Sequence, residues 1–323
     1  MTDRHLLLLA PAANRVYADQ APRLLAAEVA ALCPGVTVEP TSRAGVDYLL
    51  LSGSLDLDML ARSSAALALF AESGSLLEPV ELPRSDVFDD DLVTIQRYPG
   101  KTNEQFTRLL VNLTLAAVRR EAPYSILDPL SGRGTTLLAG WTLGHDVAGV
   151  EQDEKAIEQL RAYLSTYLRR KRIKHAVSLD PVRREGRSLG RRLDATATLA
   201  GRSLSLGVLP GDAADSARLW GKRTFDAVVT DAPYGVVHGA HDSGGRHRSP
   251  EALLEAALPV WAGQLRTGGA LGLAWNTLSL PRERLVALVC GAGLSVLDGG
   301  PYSGLEHRVD SSIHRDVVVA TKR

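Results

Sequence analysis

The stretch SILDPLSGRGTT, residues 125–136, decides the fold of this chain. A short apolar run is followed by a turn with two glycines and then by a helical segment. In open α/β sheets, such a turn lets a ligand approach the backbone and the N-terminus of the helix. The stretch therefore predicts the first strand-turn-helix unit of a sheet that binds a ligand. The positions of this unit that we expect to line the ligand are Asp128, Pro129, Gly132, Gly134, Thr135 and Thr136.

Strands and helices alternate on both sides of this unit. A helix with one apolar face precedes it over residues 105–120, and helical segments separate the apolar runs that follow it. This alternation predicts an α/β fold with a doubly wound, mostly parallel, Rossmann-like sheet over residues 96–323, with ligands at the carboxyl ends of the strands. The later runs are DVAGVE, LSLGVLP, FDAVVTD, GALGLAW and DVVVAT.

The first 95 residues have a different pattern, which predicts a small α+β domain. Short apolar runs read as strands at HLLLLA, VTVEP and DYLLLS, and helices are expected over residues 21–32 and 56–62. The acidic segment SDVFDDD, residues 85–91, is interpreted as a solvated linker to the second domain.

Composition narrows the class of protein. A chain of 323 residues is expected to form more than one domain. No apolar run approaches the roughly 20 residues that a bilayer span requires, so we expect a cytoplasmic protein without a membrane partner. Cys33 and Cys290 stand alone and match no metal-ligand spacing. Both are interpreted as buried small apolar residues.

Acidic residues at two further strand ends predict the ligand of the glycine-rich turn. Glu151, followed by Gln152, comes twenty-three residues after Asp128, where a carboxylate can bind the ribose hydroxyls of a nucleoside. Asp212 and Ala213 follow the third strand and could meet an adenine, although Asp212 could instead cap a helix.

The nucleoside could belong to a dinucleotide or to S-adenosylmethionine. A dinucleotide site prefers a third glycine, and Leu137 occupies that position. Asp128 would repel a pyrophosphate but attract the sulfonium or amino group of S-adenosylmethionine. These two residues favour S-adenosylmethionine over the nicotinamide cofactor of a dehydrogenase.

The fourth strand ends in the sequence Asp231-Ala232-Pro233-Tyr234, which predicts the reaction through its resemblance to a signature of amino-methyltransferases. An exocyclic base amine is a weak nucleophile, and a carboxylate with a neighbouring backbone carbonyl can hold its two N–H groups in place for attack. Asp231 would be that carboxylate, with the carbonyl of Ala232 or Pro233 beside it. Tyr234 would stack on a base taken out of its helix.

This motif resembles the D/N-P-P-Y/F/W signature of amino-methyltransferases, from which it departs at Ala232. Residues 97–323 resemble the THUMP-associated guanine-N2 methyltransferases of tRNA, and PGKTNEQFTRLLVNLTL is similar to the segment that leads into their cofactor site. The resemblance implies a class I S-adenosylmethionine-dependent enzyme. Methyl transfer from a sulfonium needs no metal, and the distance of Cys33 and Cys290 from every motif argues against a covalent cysteine intermediate. The resemblance also implies a cofactor pocket lined by residues 101–106, with Thr102, Asn103 and Gln105 as contacts. Helix capping is an equal alternative for Asn103 and Glu104.

Basic residues concentrate in an insert at about residues 169–205, between the second and third strands of the sheet. Residues 169–192 contain ten Lys or Arg and two Asp or Glu, whereas residues 1–98 contain seven and fourteen. Because neutralised phosphates supply much of the affinity for nucleic acid, we predict that this insert binds RNA. A solvated helix face is the alternative. The proposed RNA contacts are Arg169, Arg170, Lys171 and Arg172.

Polar residues also precede the last strand, in HRVDSSIHRD. We expect Arg308 to contact the substrate, and His307, Asp310, His314 and Arg315 either border the base pocket or belong to an ordinary polar loop.

Together these features predict a methyltransferase acting on a base amine of RNA, with guanine-N2 of tRNA favoured. Three alternatives remain open from the sequence. They are an adenine-N6 methyltransferase of DNA or rRNA, a non-catalytic RNA-binding module, and a methyltransferase of small-molecule amines.

Overall fold

The computed structural model describes residues 4–12, 15–184, 187–199, 201–233 and 249–323. The first part of the chain forms a five-stranded antiparallel sheet in the order β2-β3-β1-β4-β5. Alternate residues of its strands, such as Leu7, Leu49 and Leu69, are buried against the apolar face of the helix α1. The elements are β1 (Arg4–Leu9), α1 (Arg15–Leu32), β2 (Thr37–Arg43), β3 (Val46–Ser52), α2 (Leu57–Leu60), β4 (Ala66–Ser73) and β5 (Leu76–Val80).

The remainder of the chain alternates helices with strands, and its described strands belong to one ten-stranded sheet. Two short 3-10 turns, at residues 213–215 and 300–302, add to the regular elements. The elements are α3 (Asp91–Thr94), α4 (Glu104–Ala116), β6 (Ser125–Asp128), α5 (Thr135–Thr142), β7 (Asp146–Glu151), α6 (Glu154–Arg170), β8 (Lys174–Arg184), β9 (Arg187–Leu199), β10 (Arg202–Pro210), α7 (Ser216–Trp220), β11 (Phe225–Asp231), α8 (Pro250–Gln264), β12 (Leu265–Asn276), α9 (Arg282–Gly291), β13 (Ser295–Leu297), β14 (His307–Arg308) and β15 (His314–Thr321).

The strand order of the large sheet confirms the predicted Rossmann-like fold. The order is β13-β15-β12-β11-β6-β7-β10-β9-β8, with β14 paired to β15. Strands β10, β7, β6, β11 and β12 are parallel, and β15 runs antiparallel to β12. The chain winds outward from β6 in one direction and then crosses to β11 on its other side. This reversal is the topological switch point at which doubly wound sheets bind ligands.

The basic insert folds as a β-hairpin that widens the sheet. Strand β9 pairs antiparallel with β10, from Leu199 opposite Arg202 to Leu193 opposite Val208. Strand β8 pairs with β9 along its length and forms the edge of the sheet. Because β9 is longer than its pairing with β10, the residues before Leu193 lie level with and beyond the carboxyl end of β10.

Four local expectations differ from the structure. The helix expected over residues 21–32 begins at Arg15, and the helix expected to reach residue 120 ends at Ala116. In the latter case the amide of Arg119 donates to the carbonyl of Gly268, which draws the chain onto the sheet. Strands β4 and β5 were not expected at all, although they complete the small sheet. Cys290 is exposed rather than buried, whereas Cys33 is buried as expected.

The segment 85–91 is not a solvated linker, so that interpretation was wrong. The ring of Phe88 is 2% exposed and packs 4.6 Å from the ring of Trp141, centroid to centroid. The Asp86 carboxylate accepts two hydrogen bonds from Arg108, at 2.6 and 2.7 Å. An apolar ring within the acidic run thus fastens the segment to the core, because burying that ring outweighs solvation of its neighbours.

A buried carboxylate connects helix α1, which packs on the small sheet, to helix α4, which packs on the large sheet. Glu28 of α1 accepts hydrogen bonds from the amide and hydroxyl of Ser64 and from the side-chain amide of Asn112 on α4. Burial raises the pKa of Glu28.

The division into domains at residues 95 and 96 stays a prediction. Within the described ranges, no helix has the length and apolarity needed to cross a membrane.

Helix α4 lies so close to strand β12 that only glycine fits at residue 272. A Cβ atom on Gly272 would lie 1.7 Å from Oγ1 and 2.9 Å from Cβ of Thr114. Thr114 is itself held by a hydrogen bond to the carbonyl of Leu110. Any larger residue at position 272 must therefore push α4 off the sheet.

We expect Gly272→Ala to lower the free energy of unfolding by about 3 kcal/mol or more, since the core has no room for the methyl group. Urea unfolding followed by circular dichroism measures the change. The matched control is Gly263→Ala in α8, where the new methyl group meets nothing within 4 Å. That change should be neutral or stabilise by up to about 1 kcal/mol. Equal midpoints for Gly272→Ala and the parent protein would contradict this packing.

Candidate functional site

The residues selected at the strand ends meet along one edge of the large sheet. Asp128 ends β6, Glu151 ends β7 and Asp231 ends β11, all at the carboxyl edge. Asp212 comes two residues after the end of β10, and Pro210 pairs with Glu151 across β10 and β7. The side chain of Thr230, next to Asp231, donates to Asp128 Oδ1 at 2.8 Å and so connects β11 to β6. Asp128, Glu151, Asp212 and Asp231 thus form a continuous row along the predicted ligand-binding edge, which we call the row of carboxylates.

The glycine-rich turn connects Asp128 to Glu151. Gly132 and Gly134 have φ angles of 51° and 85°, a region that L side chains rarely adopt. A Cβ atom on Gly134 would also lie 2.8 Å from a methyl carbon of Leu160, whereas one on Gly132 would meet nothing within 4 Å. The turn therefore needs glycine for two reasons, and the space beside Gly132 is open. Pro129, Thr135 and Thr136 are buried behind it.

Glu151 faces this turn with both carboxylate oxygens hydrogen bonded. Oε2 accepts from the amide of Gly132 at 2.7 Å, and Oε1 accepts from the amide of Asp153 at 2.7 Å. Burial raises the pKa of Glu151. Each oxygen has a second lone pair, so the carboxylate can still accept hydrogen bonds from a ligand's hydroxyls. Gln152 is exposed next to it.

Asp212 lies beside Glu151, because the amide of Gly211 donates to the carbonyl of Glu151 at 3.0 Å. The Asp212 side chain caps the 3-10 turn that follows by accepting from the amide of Ala214 at 2.8 Å. Ala213 is buried, and its carbonyl accepts from the indole of Trp261 at 3.0 Å. Asp212 therefore caps the turn, as the alternative from the sequence proposed, and it also lies at the predicted ligand-binding edge.

Asp128 is 2% exposed and lies at the centre of the row. Its Oδ1 accepts from Thr230 and, at 3.1 Å, from the amide of Leu130. Burial raises the pKa of Asp128 to about 7, with the charge of Asp231 adding to the effect and the hydrogen bonds opposing it. A positively charged ligand group placed beside this carboxyl would favour its ionised form.

Asp231 is held by residues from two distant segments. Its Oδ2 accepts from the Thr102 hydroxyl at 2.7 Å and lies 4.0 Å from Nη2 of Arg315. The Arg315 guanidinium is almost fully buried, 4.3 Å above the centroid of the Phe106 ring. Arg315 can reach Asp231 because β15 pairs with β12, and β12 pairs with β11. One hydrogen bond and one ion-pair contact thus orient a carboxylate whose side chain is 14% exposed.

The rest of the motif continues from this point. The amide of Ala232 donates to the carbonyl of Ala274 at 2.8 Å, which extends the strand pairing by one residue. Ala232 is buried and Pro233 is exposed. Tyr234 lies outside the described residues.

The segment 101–106 brings Thr102 to the site but gives its neighbours other contacts. Asn103 caps α4 by accepting from the amide of Phe106 at 2.9 Å. The Lys101 ammonium donates to the carbonyls of residues 93 and 96 and pairs with Glu104. Gln105 donates to the carbonyl of Ala10 at 3.4 Å. Of the three contacts implied by the resemblance, Thr102 reaches the row of carboxylates directly.

Sequence reasoning missed four residues that shape the site. The Tyr98 hydroxyl lies 2.7 Å from the Thr135 hydroxyl, and the Arg133 guanidinium lies 4.6 Å from the centroid of the Tyr98 ring. Thr230 connects Asp128 to β11. The side-chain oxygen of Asn276 accepts a hydrogen bond at 3.0 Å from the amide of His314, the first residue of β15. Tyr98 and Asn276 act across long sequence separations. The position of Thr230 beside Asp231, at the end of a buried strand, was the available signal for that residue.

The predicted RNA contacts are not brought together with this row. Arg169, Arg170, Lys171 and Arg172 are exposed at the C-terminal end of α6. This helix of 17 residues starts at the carboxyl edge and runs back toward the opposite edge, about 25 Å away. Lys171 pairs there with Asp89 at 2.9 Å and also with Asp91. The RNA-binding role of these four residues stays a prediction.

The polar residues around the start of β15 differ in their surroundings: Arg308 faces solvent, whereas His307 and Arg315 are buried. Arg308 is exposed and donates to the carbonyl of Asp310 at 3.1 Å. His307 is buried 5.1 Å from the Phe106 ring, and burial lowers its pKa to about 4. Arg315, from the same segment, is the residue that reaches Asp231.

No family model and no curated protein matches this chain. Solved structures of methyltransferases are similar to it at low identity. TrmN from Thermus thermophilus is 17% identical, with a TM-score of 0.43 over 90% of this chain and 60% of TrmN. The T. thermophilus 16S rRNA N2 methyltransferase RsmC, solved with AdoMet and guanosine, is 19% identical, with a TM-score of 0.40 over 91% and 60% of the two chains.

A methyltransferase from Pyrococcus furiosus is 15% identical, with a TM-score of 0.41 over 70% of this chain and 87% of that one. The chain thus spans three fifths of the length of TrmN and of RsmC, since the alignments cover 60% of each.

The raised pKa of Asp128 predicts a pH-dependent stability. The folded-state value of about 7 exceeds the ordinary value of 3.8, so the protonated carboxyl favours the folded state below pH 4 and this advantage is lost as pH rises through 7. Between about pH 5 and about pH 8, the parent should lose about 2 to 3 kcal/mol of unfolding free energy relative to Asp128→Asn. Urea titrations of both proteins measure this difference. A constant difference across this pH range would show that Asp128 keeps an ordinary pKa.

Proposed function

We propose that this protein is an S-adenosylmethionine-dependent methyltransferase that methylates an exocyclic base amine in RNA. One observation carries the proposal: a carboxylate suited to hold an amine, Asp231, adjoins a row of groups suited to a sulfonium nucleoside. The connection is direct, since Asp231 follows Thr230 and Thr230 donates to Asp128. The donors and acceptors of the row fit S-adenosylmethionine better than a pyrophosphate, because the row is acidic.

Three parts of the row fit three parts of the cofactor. The buried Asp128 would attract the positively charged methionine end, which then favours its ionised form. Glu151, anchored by the amide of Gly132, would accept hydrogen bonds from the ribose hydroxyls. Asp212 and the backbone of Ala213 would receive the adenine. When bound, the cofactor supplies an activated methyl group.

Asp231 and the backbone that follows it would prepare the nucleophile. The carboxylate accepts one N–H of the base amine, and the carbonyl of Ala232 or Pro233 accepts the other. This arrangement turns the nitrogen lone pair toward the methyl carbon. Asp231 would take the proton that the nitrogen sheds when it accepts the methyl group supplied by the cofactor, whose sulfur would leave as a neutral thioether. Thr102 and Arg315 keep Asp231 in place during these changes.

The proposed substrate is RNA, with guanine-N2 of tRNA favoured. RNA is favoured by the basic insert, since Arg and Lys side chains neutralise phosphates. The resemblance of residues 97–323 to THUMP-associated enzymes favours guanine-N2 of tRNA. The acidic first 95 residues are poorly suited to phosphate contacts, so positioning of the RNA is assigned to the second part of the chain.

Calorimetry with S-adenosylmethionine tests the cofactor. We expect Glu151→Ala to weaken binding by about 10- to 100-fold, because it removes charge-assisted hydrogen bonds to the ribose. The control is Glu283→Ala, an exposed acidic residue in the first turn of α9. It should leave the affinity unchanged. A parent protein that binds no S-adenosylmethionine would refute the enzyme and leave a non-catalytic module.

Asp231→Ala should abolish methyl transfer while cofactor binding is retained. Alanine leaves the amine without its side-chain acceptor, so we expect a loss of kcat of at least about 100-fold. The readout is transfer of radiolabelled methyl groups to tRNA from a strain that lacks this protein. Asp298→Ala, at an exposed residue that pairs with Arg282, serves as the control. Retained activity in Asp231→Ala would overturn the assigned role.

Mass spectrometry of tRNA nucleosides from that strain and its parent identifies the base. Loss of N2-methylguanosine is the expected result. Loss of N6-methyladenosine instead would move the substrate to adenine with the same site chemistry, and unchanged nucleosides in tRNA would exclude tRNA as the substrate.

A further inference from the structure

The hairpin β8–β9 carries part of the basic insert toward the candidate site. We define its outer part as residues 181–184 and 187–192. Strand β9 runs antiparallel to β10, and the pairing between them ends where Leu193 lies opposite Val208. Residues 187–192 therefore extend past Val208, level with and beyond the carboxyl end of β10. This is the edge at which Glu151 and Asp212 lie.

This outer part is strongly basic. Residues 181–192 contain five arginines and one glutamate. Arg183 is exposed, and no partner for it is found among the residues that the structure describes. Arg191 is 49% exposed, pairs with Glu158 at 3.3 Å and donates to the carbonyl of Leu179 at 3.2 Å. Exposed contacts of this kind contribute little to stability, so the guanidinium can exchange these partners for a phosphate.

A cavity of about 590 Å³ lies beneath the outer hairpin. The hairpin supplies Pro181 and residues 188–191 to its wall, and Glu154, Pro210, Gly211, Arg218 and Leu219 supply the rest. The volume is within the range of small-molecule sites. The lining contains the guanidinium groups of Arg191 and Arg218 against the single carboxylate of Glu154. Because Gly211 directly precedes Asp212, the cavity adjoins the end of the row assigned to adenine without being part of it.

The hairpin is seated firmly over this cavity. Gly190 has a φ angle of 100°, and a Cβ atom there would lie 2.6 Å from Oε1 of Glu154 and 3.0 Å from Cγ of Pro210. The backbone of the outer hairpin thus touches the start of α6 and the end of β10. Such close approach gives the arginines a defined position relative to the candidate site.

We infer that the outer hairpin and the cavity beneath it bind the phosphate backbone of the RNA a few nucleotides from the methylated base, since β9 lies four strands, or about 19 Å, from β11. The inference rests on the proposed function and assigns RNA contact to a different part of the insert from Arg169–Arg172. Those four residues lie about 25 Å away along α6, at the far edge of the sheet. The outer hairpin lies at the same edge as Asp231, where a substrate base must arrive.

Two double variants with the same change in charge compare these locations. Arg183→Gln with Arg191→Gln removes two charges from the outer hairpin, and Arg169→Gln with Arg170→Gln removes two from the end of α6. The probe is a fluorescein-labelled tRNA transcript, titrated by anisotropy at several salt concentrations. Circular dichroism melting shows whether each variant is folded, and Arg183→Gln alone serves as a variant that disturbs no described contact.

We expect the outer hairpin variant to bind about 10-fold more weakly and to lower the slope of log K against log salt by about 1 to 2. The α6 variant should change affinity by less than about 2-fold, since its charges do not face the RNA. Equal losses in both variants, or a loss confined to the α6 variant, would overturn the inference.

Calorimetry with S-adenosylmethionine separates this result from the proposed function. Both double variants should bind the cofactor as the parent does, because neither change touches Asp128, Glu151 or Asp212. A parent that binds the cofactor but not the tRNA transcript would overturn the RNA inference and leave the methyltransferase. A parent that binds the transcript but no cofactor would remove the methyltransferase and leave the RNA surface.

Discussion

Four carboxylates crowded along one sheet edge are the constraint on which the rest of the site depends. Asp128, Glu151, Asp212 and Asp231 end or follow neighbouring strands, and like charges in a partly buried site disfavour one another. Each carboxylate is compensated by donors from the backbone or from hydroxyl and guanidinium groups. The most buried, Asp128, is only partly compensated, and its pKa is raised to about 7. A cationic ligand would relieve this imbalance.

The side of the row around Asp231 depends on packing far from it. Thr102 precedes helix α4, whose position against the sheet is set by the contact between Thr114 and Gly272. The same helix carries Asn112, which donates to the buried Glu28 of α1, the helix that packs on the N-terminal sheet. Helix α4 therefore links the small sheet, the large sheet and the carboxylate. A change that displaces α4 moves Thr102 and alters the orientation of Asp231.

The insert shows how alternating chain direction distributes charge. Helix α6 runs away from the carboxyl edge, so the arginines at its end are carried to the opposite edge. Strand β8 then returns, and the paired ends of β8 and β9 carry Arg183 and Arg191 toward the carboxyl edge. A run of basic residues that looks uniform in sequence is thus split between two ends of the molecule. Pairing of Lys171 with Asp89 further distinguishes the distal group.

The sequence by itself determined the alternating fold and the acidic residues at the strand ends, because apolar periodicity and glycine turns are local properties. Only the tertiary structure decided which distant groups meet. Thr102 is more than a hundred positions from Asp231 in sequence and reaches it through the packing of helix α4. Arg315 reaches Asp231 through the register of the paired strands. Burial of Phe88 in an acidic segment and exposure of Cys290 on a helix also depend on how elements dock. No local pattern encodes such contacts, since they arise when separate elements pack together.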